Sequence, residues 1–186
     1  KPSDISHVEA ASISLVGLTA LTALEKTAMI EPGMDVLIHA GAGGVGAFAI
    51  QYSKFCGAKV YVTASEANVD FVTQLGADEV INYRTVDFRD VLSNLDVVYD
   101  TMGGDTHLKS YDVLKSGGLL VGLNAEPLPD EKPREDIRVE IPLVDYDRAG
   151  VNRIAELLRV KAVRPSVSAV FALSDAIDAY KLSETT

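Results

Sequence analysis

The chain has 186 residues, of which 47% are hydrophobic and 24% charged, enough to bury a substantial core in one medium-sized domain and too apolar to remain disordered. Seventeen Lys and Arg against 27 Asp and Glu give a formal net charge of -10, which repels nucleic-acid phosphates and anionic lipid headgroups. Short apolar runs, 47–50 and the stretch 160–163 that Lys161 interrupts, fall far short of the ~18 to 20 residues of a bilayer span. One cysteine, Cys56, excludes an intrachain disulfide and a multi-thiolate zinc site and suits a reducing, cytoplasmic setting. The chain starts at Lys1 with neither an initiator Met nor a signal-peptide pattern, and reads as a fragment.

Ser6-His7-Val8-Glu9 has the spacing of a capping box and predicts a first helix; residues 15–27 predict a second. After Glu31-Pro32-Gly33, residues 35–39 read as a buried strand that runs into Gly41, Gly43, Gly44 and Gly46. Val45, Phe48, Ala49, Tyr52 and Phe55 then recur at helical spacing, and Gly57 is a left-handed stop. Three further units repeat the pattern: strand 59–63 with helix 68–75 stopped by Gly76, strand 79–83 with a helix near 87–93, and strand 95–99 with helix 106–114. A fifth strand, 119–123, follows the Gly117-Gly118 turn. The charged stretch 126–136, with Pro127, Pro129 and Pro133, predicts an exposed, mobile loop.

Residues 138–143 predict a sixth strand, assigned to an edge because Pro142 has no amide to donate. A helix over 147–160 carries Val151, Ile154, Leu157 and Leu158 on one face; 163–171 alternates as a strand, and Ser174 caps a last helix. Strands alternating with helices define an α/β fold, a doubly wound parallel sheet of about six strands with helices on both faces.

Gly41-Ala42-Gly43-Gly44-Val45-Gly46 is a G-x-G-x-x-G between a strand and a helix, the context in which this motif binds a dinucleotide. Gly41 permits the tight turn, Gly43 clears room for a pyrophosphate, and Gly46 lets helix and strand approach, while Gly44 and Val45 begin a helix whose positive end favours the diphosphate. About 20 residues downstream, an NAD-preferring site has an Asp or Glu for the ribose hydroxyls. Here that position is Ser65, and Thr63, Ser65 and Asn68 offer neutral hydrogen-bonding groups, so NADP(H) is expected; Glu66 is the feature against it. The missing carboxylate also argues against a methyltransferase.

Beyond the turn, Glu9-Ala10-Ala11, 15–20, 36–46, Thr63-Ala64-Ser65, 75–78, 80–83, 96–100, Gly103-Gly104 and 114–118 recur in order at familiar spacings. On these blocks the chain resembles the cofactor-binding part of a medium-chain dehydrogenase/reductase, in the zinc-independent quinone oxidoreductase (zeta-crystallin-like) branch, whose nucleotide-binding domain has a Rossmann fold. The resemblance implies a leading GroES-like catalytic domain outside this chain, with 1–160 as the NADP(H)-binding domain and its helical linker and 161–186 as part of a segment returning to the catalytic domain. It implies that Ser65 and Tyr83 meet the adenosine 2′-phosphate, and that Asn68 stands where a Lys is frequent, replacing a charged contact by a neutral one. It puts Thr19 near the nicotinamide and Met102, Gly103, Gly122, Leu123 and Asn124 in loops along the cofactor. It further implies hydride transfer from NADPH to a small-molecule quinone or an activated alkene or carbonyl without zinc, and a homodimer through edge 138–143. Two alternatives remain: an enoyl reductase domain of a larger synthase, and a non-catalytic NADPH-binding module.

No catalytic residue is assigned. Tyr52 and His39 read as packing or strand-end residues, and His7, His39 and His107 lack zinc-ligand spacing. Tyr111 and Lys115 spell the Y-x-x-x-K of short-chain dehydrogenases, but Val45 stands where that family's glycine turn needs Gly. Cys56 reads as a half-buried packing thiol.

Overall fold

A computed structural model describes residues 1–123 and 132–184. Six strands, β1 (Asp35–Ile38), β2 (Lys59–Ala64), β3 (Glu79–Asn82), β4 (Leu95–Asp100), β5 (Leu114–Gly122) and β6 (Arg138–Glu140), form one sheet in the order β3-β2-β1-β4-β5-β6. All five pairings are parallel. The order reverses between β1 and β4, and the crevice beyond the strand ends at such a reversal is where doubly wound sheets bind ligands.

Strand residues alternate between two cores because successive side chains point to opposite faces. Val36, Ile38, Val60, Val62, Val97, Tyr99, Leu119 and Val121 face one core, which also takes up apolar residues of α1 (His7–Leu21), α2 (Gly44–Phe55), α3 (Val69–Gln74) and α5 (Arg148–Arg159). Leu37, Tyr61, Val98 and Leu120 face the other, covered by Tyr111 and Val113 of α4 (Gly104–Val113) and by Phe88 and Leu92. The sheet is thus a central layer with helices on both sides, as expected.

The capping box forms: the Ser6 amide donates to Glu9 Oε2 at 2.8 Å and the Glu9 amide to Ser6 Oγ at 3.1 Å. The helix it starts does not break before residue 15. It continues from α1 into a π-helical stretch, Thr22–Thr27, in place of two separate helices. The run His7–Thr27 is long and apolar enough to cross a membrane by length and composition, which corrects the estimate from short apolar runs. Small and hydroxylated residues between Glu9 and Glu25 keep it uncharged without making a continuous oily stretch. In this fold its second half is a core helix, with Ala20, Ala23 and Leu24 fully buried.

Other differences have local causes. The helix expected near 87–93 is only a 3-10 turn, Phe88–Asp90, anchored by the Asp87 carboxylate on the Arg89 amide at 3.0 Å. β5 begins earlier than expected and takes in Gly117-Gly118 as an irregular bulge, in which Gly117 has a φ of 75°. β6 is short and lies at the sheet edge. On α5, Ile154, Leu157 and Leu158 are buried but Val151 is exposed. Residues 163–171 form no strand; they are held in part by Gln51 of α2, whose side-chain amide donates to the Arg164 carbonyl at 3.2 Å and accepts from the Arg164 amide at 2.9 Å. The last helix, α6 (Ala176–Ser183), has Asp175 at its N-cap position with no side-chain capping bond, and Ser174 donates to the Asp175 carboxylate in place of capping the helix.

Part of the expected loop 126–136 lies outside the described residues. At its far end Arg134 is well anchored: it caps α4 by donating to the carbonyls of Tyr111 and Leu114, both at 2.8 Å, and pairs with Asp136 at 2.7 Å.

Candidate functional site

A cavity of about 1080 Å³ opens at the carboxyl ends of the strands, beside the glycine turn. The turn explains its position. Ala40, two residues beyond β1, has a φ of 50°, a left-handed conformation that non-glycine residues rarely adopt, and neighbouring β2 holds it there. The Ala40 amide donates to Thr63 Oγ1 at 3.2 Å and the Gly41 amide to the Thr63 carbonyl at 3.1 Å, so one residue fixes two successive amides of the turn.

The glycines divide their work. A Cβ on Gly41 would lie 2.1 Å from Val62 Cγ1, and one on Gly46 would lie 2.5 Å from the Ala40 carbonyl oxygen and 2.7 Å from Gly41 Cα. These two permit close packing of strand and helix. A Cβ on Gly43 would meet nothing nearer than the Ala40 oxygen at 3.4 Å, so the space its missing side chain leaves faces the cavity. Gly43 is also the N-cap of α2 and offers no side chain to its amides; the first helical amide to be satisfied is that of Ala47, on the Gly43 carbonyl at 2.8 Å. No acidic side chain occupies the first turn, leaving the helix end free for an anion. An open cradle at an uncapped helix end suits the diphosphate of a dinucleotide.

Of the residues expected to bind cofactor, Gly43, Gly44, Thr63, Ser65, Asn68, Tyr83 and Met102 line the cavity. Gly41 and Gly46 stand behind it as packing positions, and Val45 leans on the core. Thr19 is buried and donates its hydroxyl to the Leu15 carbonyl at 3.0 Å, away from the lining. Gly103 and Leu123 donate their amides to Asp100, Gly122 pairs with it across the sheet, and none of the three lines the cavity; Asn124 lies outside the described residues.

Ser65 and Asn68 join directly, Asn68 Nδ2 donating to Ser65 Oγ at 3.1 Å. Tyr83 is brought beside them because β2 and β3 are in register, with Ala64 opposite Asn82 and the Tyr83 amide on the Ala64 carbonyl at 3.3 Å. Glu66 does not line the cavity; its carboxylate accepts from Asn82 Nδ2 at 3.0 Å.

Two buried networks support the far wall. Asp100, at the end of β4, accepts the amides of Met102 and Gly103 on one oxygen, at 2.9 and 3.0 Å, and His107 Nδ1 on the other at 2.9 Å. Burial alone would raise its carboxyl, but the hydrogen bonds from His107, Gly103 and Met102 outweigh this and hold it below the usual carboxylate range. The second network centres on His39, which is almost wholly buried. Ser110 spends its proton on the Thr106 carbonyl at 2.7 Å and therefore accepts from His39 Nε2 at 3.1 Å; Thr63 Oγ1, already an acceptor for Ala40, donates to His39 Nδ1 at 3.1 Å. This fixes a neutral imidazole with its proton on Nε2. Burial lowers its pKa to about 4, against an opposing pull from Asp100.

Sequence reasoning treated His39 as a strand-end residue and did not find its link to the glycine turn, which runs through a contact between β1, β2 and α4 that no local pattern encodes. It also missed Arg84, whose only signal was adjacency to Tyr83, and Ser166, Val167 and Ser168, which close one side of the cavity from the tail that Gln51 holds. Tyr111 is buried in the core and Lys115 pairs with Asp96, so Y-x-x-x-K forms no site here. Tyr52 donates to Glu25 at 2.8 Å, and Glu25 also receives Arg153 at 2.9 Å, a link between the π-helical stretch, α2 and α5. Among the described residues no group of three His, Cys, Asp or Glu is arranged to hold a metal ion.

A glycine turn feeding an uncapped helix at the reversal point of a parallel sheet defines a nucleotide-binding protein of the doubly wound class. Residues 75–186 match the zinc-binding dehydrogenase family profile. The chain is 41% identical over 127 residues to quinone oxidoreductase 1 of Escherichia coli, covering 64% of this chain and 39% of that protein. Its fold superimposes on the quinone oxidoreductase of Coxiella burnetii with a TM-score of 0.88 and 36% identity, and on the CurK enoyl reductase with a TM-score of 0.87 and 28% identity. All of this chain is covered in both cases, but it spans only 59% and 61% of those two chains. The chain belongs to the medium-chain dehydrogenase/reductase superfamily, in the zinc-independent quinone oxidoreductase branch.

The different contacts of the glycines separate stability from binding. Gly46→Ala, whose new methyl meets only backbone, is expected to destabilise the fold by about 1–3 kcal/mol or more in urea denaturation. Gly43→Ala is expected to leave the denaturation midpoint nearly unchanged while weakening dinucleotide binding at least ~10-fold, the loss expected when a charge-assisted contact is disrupted. Because the His39 pKa is lowered on folding from about 6.5 to about 4, its contribution to stability is full above the unfolded value and disappears as pH falls from 6.5 to 4. The expected loss is about 3 kcal/mol. His39→Asn should flatten that part of the stability profile, measured by urea denaturation at successive pH values.

Proposed function

We propose that this chain is the cofactor-binding part of an oxidoreductase that transfers hydride from NADPH to a quinone or an activated alkene or carbonyl. The observation that carries the reading is that among the described residues no carboxylate lines the cavity, while Ser65, Asn68 and Tyr83 stand together where the second and third strands end. An acidic strand end would bind both ribose hydroxyls and repel a 2′-phosphate; a neutral one leaves room for it. When bound, the reduced nicotinamide supplies the hydride. The chain's own part is to take the diphosphate on the free amides of Gly44 and Val45 at the start of α2, with the Gly43 amide held by the Ala40 carbonyl, to grip the adenosine end through Ser65, Asn68 and Tyr83, and to shield the remainder with Met102 and the Ser166–Ser168 wall. The names of the quinone oxidoreductase relatives support the acceptor class.

The enoyl reductase reading has the likeness to CurK in its favour and uses the same cavity. It predicts reduction of an enoyl thioester in preference to a quinone. In either setting the exposed Val170, Phe171, Leu173, Ile177 and Tyr180 of the tail suit packing against a further domain, with 161–186 as the returning segment. The single, half-buried Cys56 fits a reducing compartment such as the cytoplasm.

Calorimetric titration with NADPH and with NADH tests the cofactor choice. NADPH is expected to bind at least ~10-fold more tightly, and Ser65→Asp to abolish that preference by setting a carboxylate against the 2′-phosphate. Equal affinities in the native chain would overturn it. We also propose a homodimer through the free side of β6, since a two-fold antiparallel pairing about Val139 sets Arg138 of one copy opposite Glu140 of the other. Sedimentation equilibrium is expected to give a dimer that Val139→Pro converts to monomer; a monomer from the native chain at micromolar concentration excludes it.

A further inference from the structure

Among the described residues lining the cavity, Arg84 is the one charged side chain. It follows Tyr83 just beyond β3, and its guanidinium carbon lies 5.9 Å from the centre of the Tyr83 ring, within range of a cation–π contact. Arg89, Arg134 and Arg153 are each committed to carboxylates, at 2.7, 2.7 and 2.9 Å. Among the described residues no carboxylate lies within ion-pair distance of Arg84, so its charge and its planar fork of donors remain free beside an open cavity.

Asn82 accounts for this arrangement. Its side-chain oxygen accepts the Arg84 amide at 3.1 Å, while its Nδ2 donates to Glu66 Oε2 at 3.0 Å. Its carbonyl closes the turn by accepting the amides of Thr85 and Val86, both at 3.0 Å. A single side chain therefore fixes the backbone that carries the cation and engages the carboxylate of Glu66. A cation beside Ser65, Asn68 and Tyr83 is the complement of a phosphate monoester on the adenosine ribose, a group that needs a charged partner as well as hydroxyl donors.

We propose that Arg84 is the specificity-determining residue for the 2′-phosphate of NADPH, and that Asn82 positions it and engages Glu66; the assignment rests on the NADPH reading above. Adenosine 2′,5′-bisphosphate and adenosine 5′-monophosphate isolate the phosphate contact from the rest of the cofactor. In titrations of the chain, Arg84→Ala is expected to weaken the bisphosphate and NADPH by roughly 10- to 100-fold while leaving the monophosphate and NADH within about twofold. Arg84→Lys should recover part of the loss, because it restores the charge but not the fork. The native preference for the bisphosphate should also fall more steeply with salt than that of Arg84→Ala.

Loss of all four ligands alike would mark Arg84 as structural and overturn the assignment, as would an unchanged preference in Arg84→Ala. If the native chain shows no preference for the bisphosphate, the NADPH reading fails and Arg84 with it. If the native preference is present and survives the substitution, only the assignment to Arg84 fails.

Discussion

The approach of α2 to the end of β1 governs the site. Gly46 lies so close to the Ala40 carbonyl and to Gly41 that no side chain fits, and this brings the amino end of the helix directly over the strand's carboxyl end. Only then do the first amides of α2 point into the crevice where the sheet reverses direction. Ala40 takes a left-handed backbone to make the turn, and Thr63 holds it there with both side chain and carbonyl.

The support for this turn reaches through the sheet. Thr63 is bonded to His39, His39 to Ser110 on α4, and Thr101 donates to the His39 carbonyl at 2.8 Å. Asp100, one residue before Thr101, binds the next two amides after it and His107. The ends of β1, β2 and β4 are therefore joined by a chain of hydrogen-bonded buried polar groups, an arrangement that stiffens a cavity wall because breaking any link would leave a buried polar group unpaired.

Local signals made much of this legible. The apolar runs at 35–39 and 59–63, glycine stops at Gly57 and Gly76 and the G-x-G-x-x-G context were enough for the order of strands and helices along the chain and for the position of the turn. Elements whose form depends on distant partners were less legible. Residues 22–27 have ordinary helical composition, yet in the fold Glu25 binds Tyr52 and Arg153 and the stretch winds as a π-helix. Residues 163–171 alternate like a strand but meet a helix side chain where a strand would need a neighbouring backbone. In the candidate site, Ser65 and Tyr83 could be named from spacing and resemblance, whereas His39 emerges only when β1, β2 and α4 meet, Arg84 only when β3 stands beside β2, and the tail wall only when Gln51 of α2 holds residue 164.

Gln51 gives that tail wall an unusual mechanical status. Its amide bonds both the carbonyl and the amide of Arg164, mimicking one rung of a sheet, from a point two turns along the helix whose first turn faces the cavity. The segment that closes the cavity and the helix end that faces it thus belong to a single lever, with Gln51 as its clasp. A pull on the chain beyond residue 164 is delivered to α2 itself, so that whatever binds the tail and whatever occupies the cavity act on the same rigid rod.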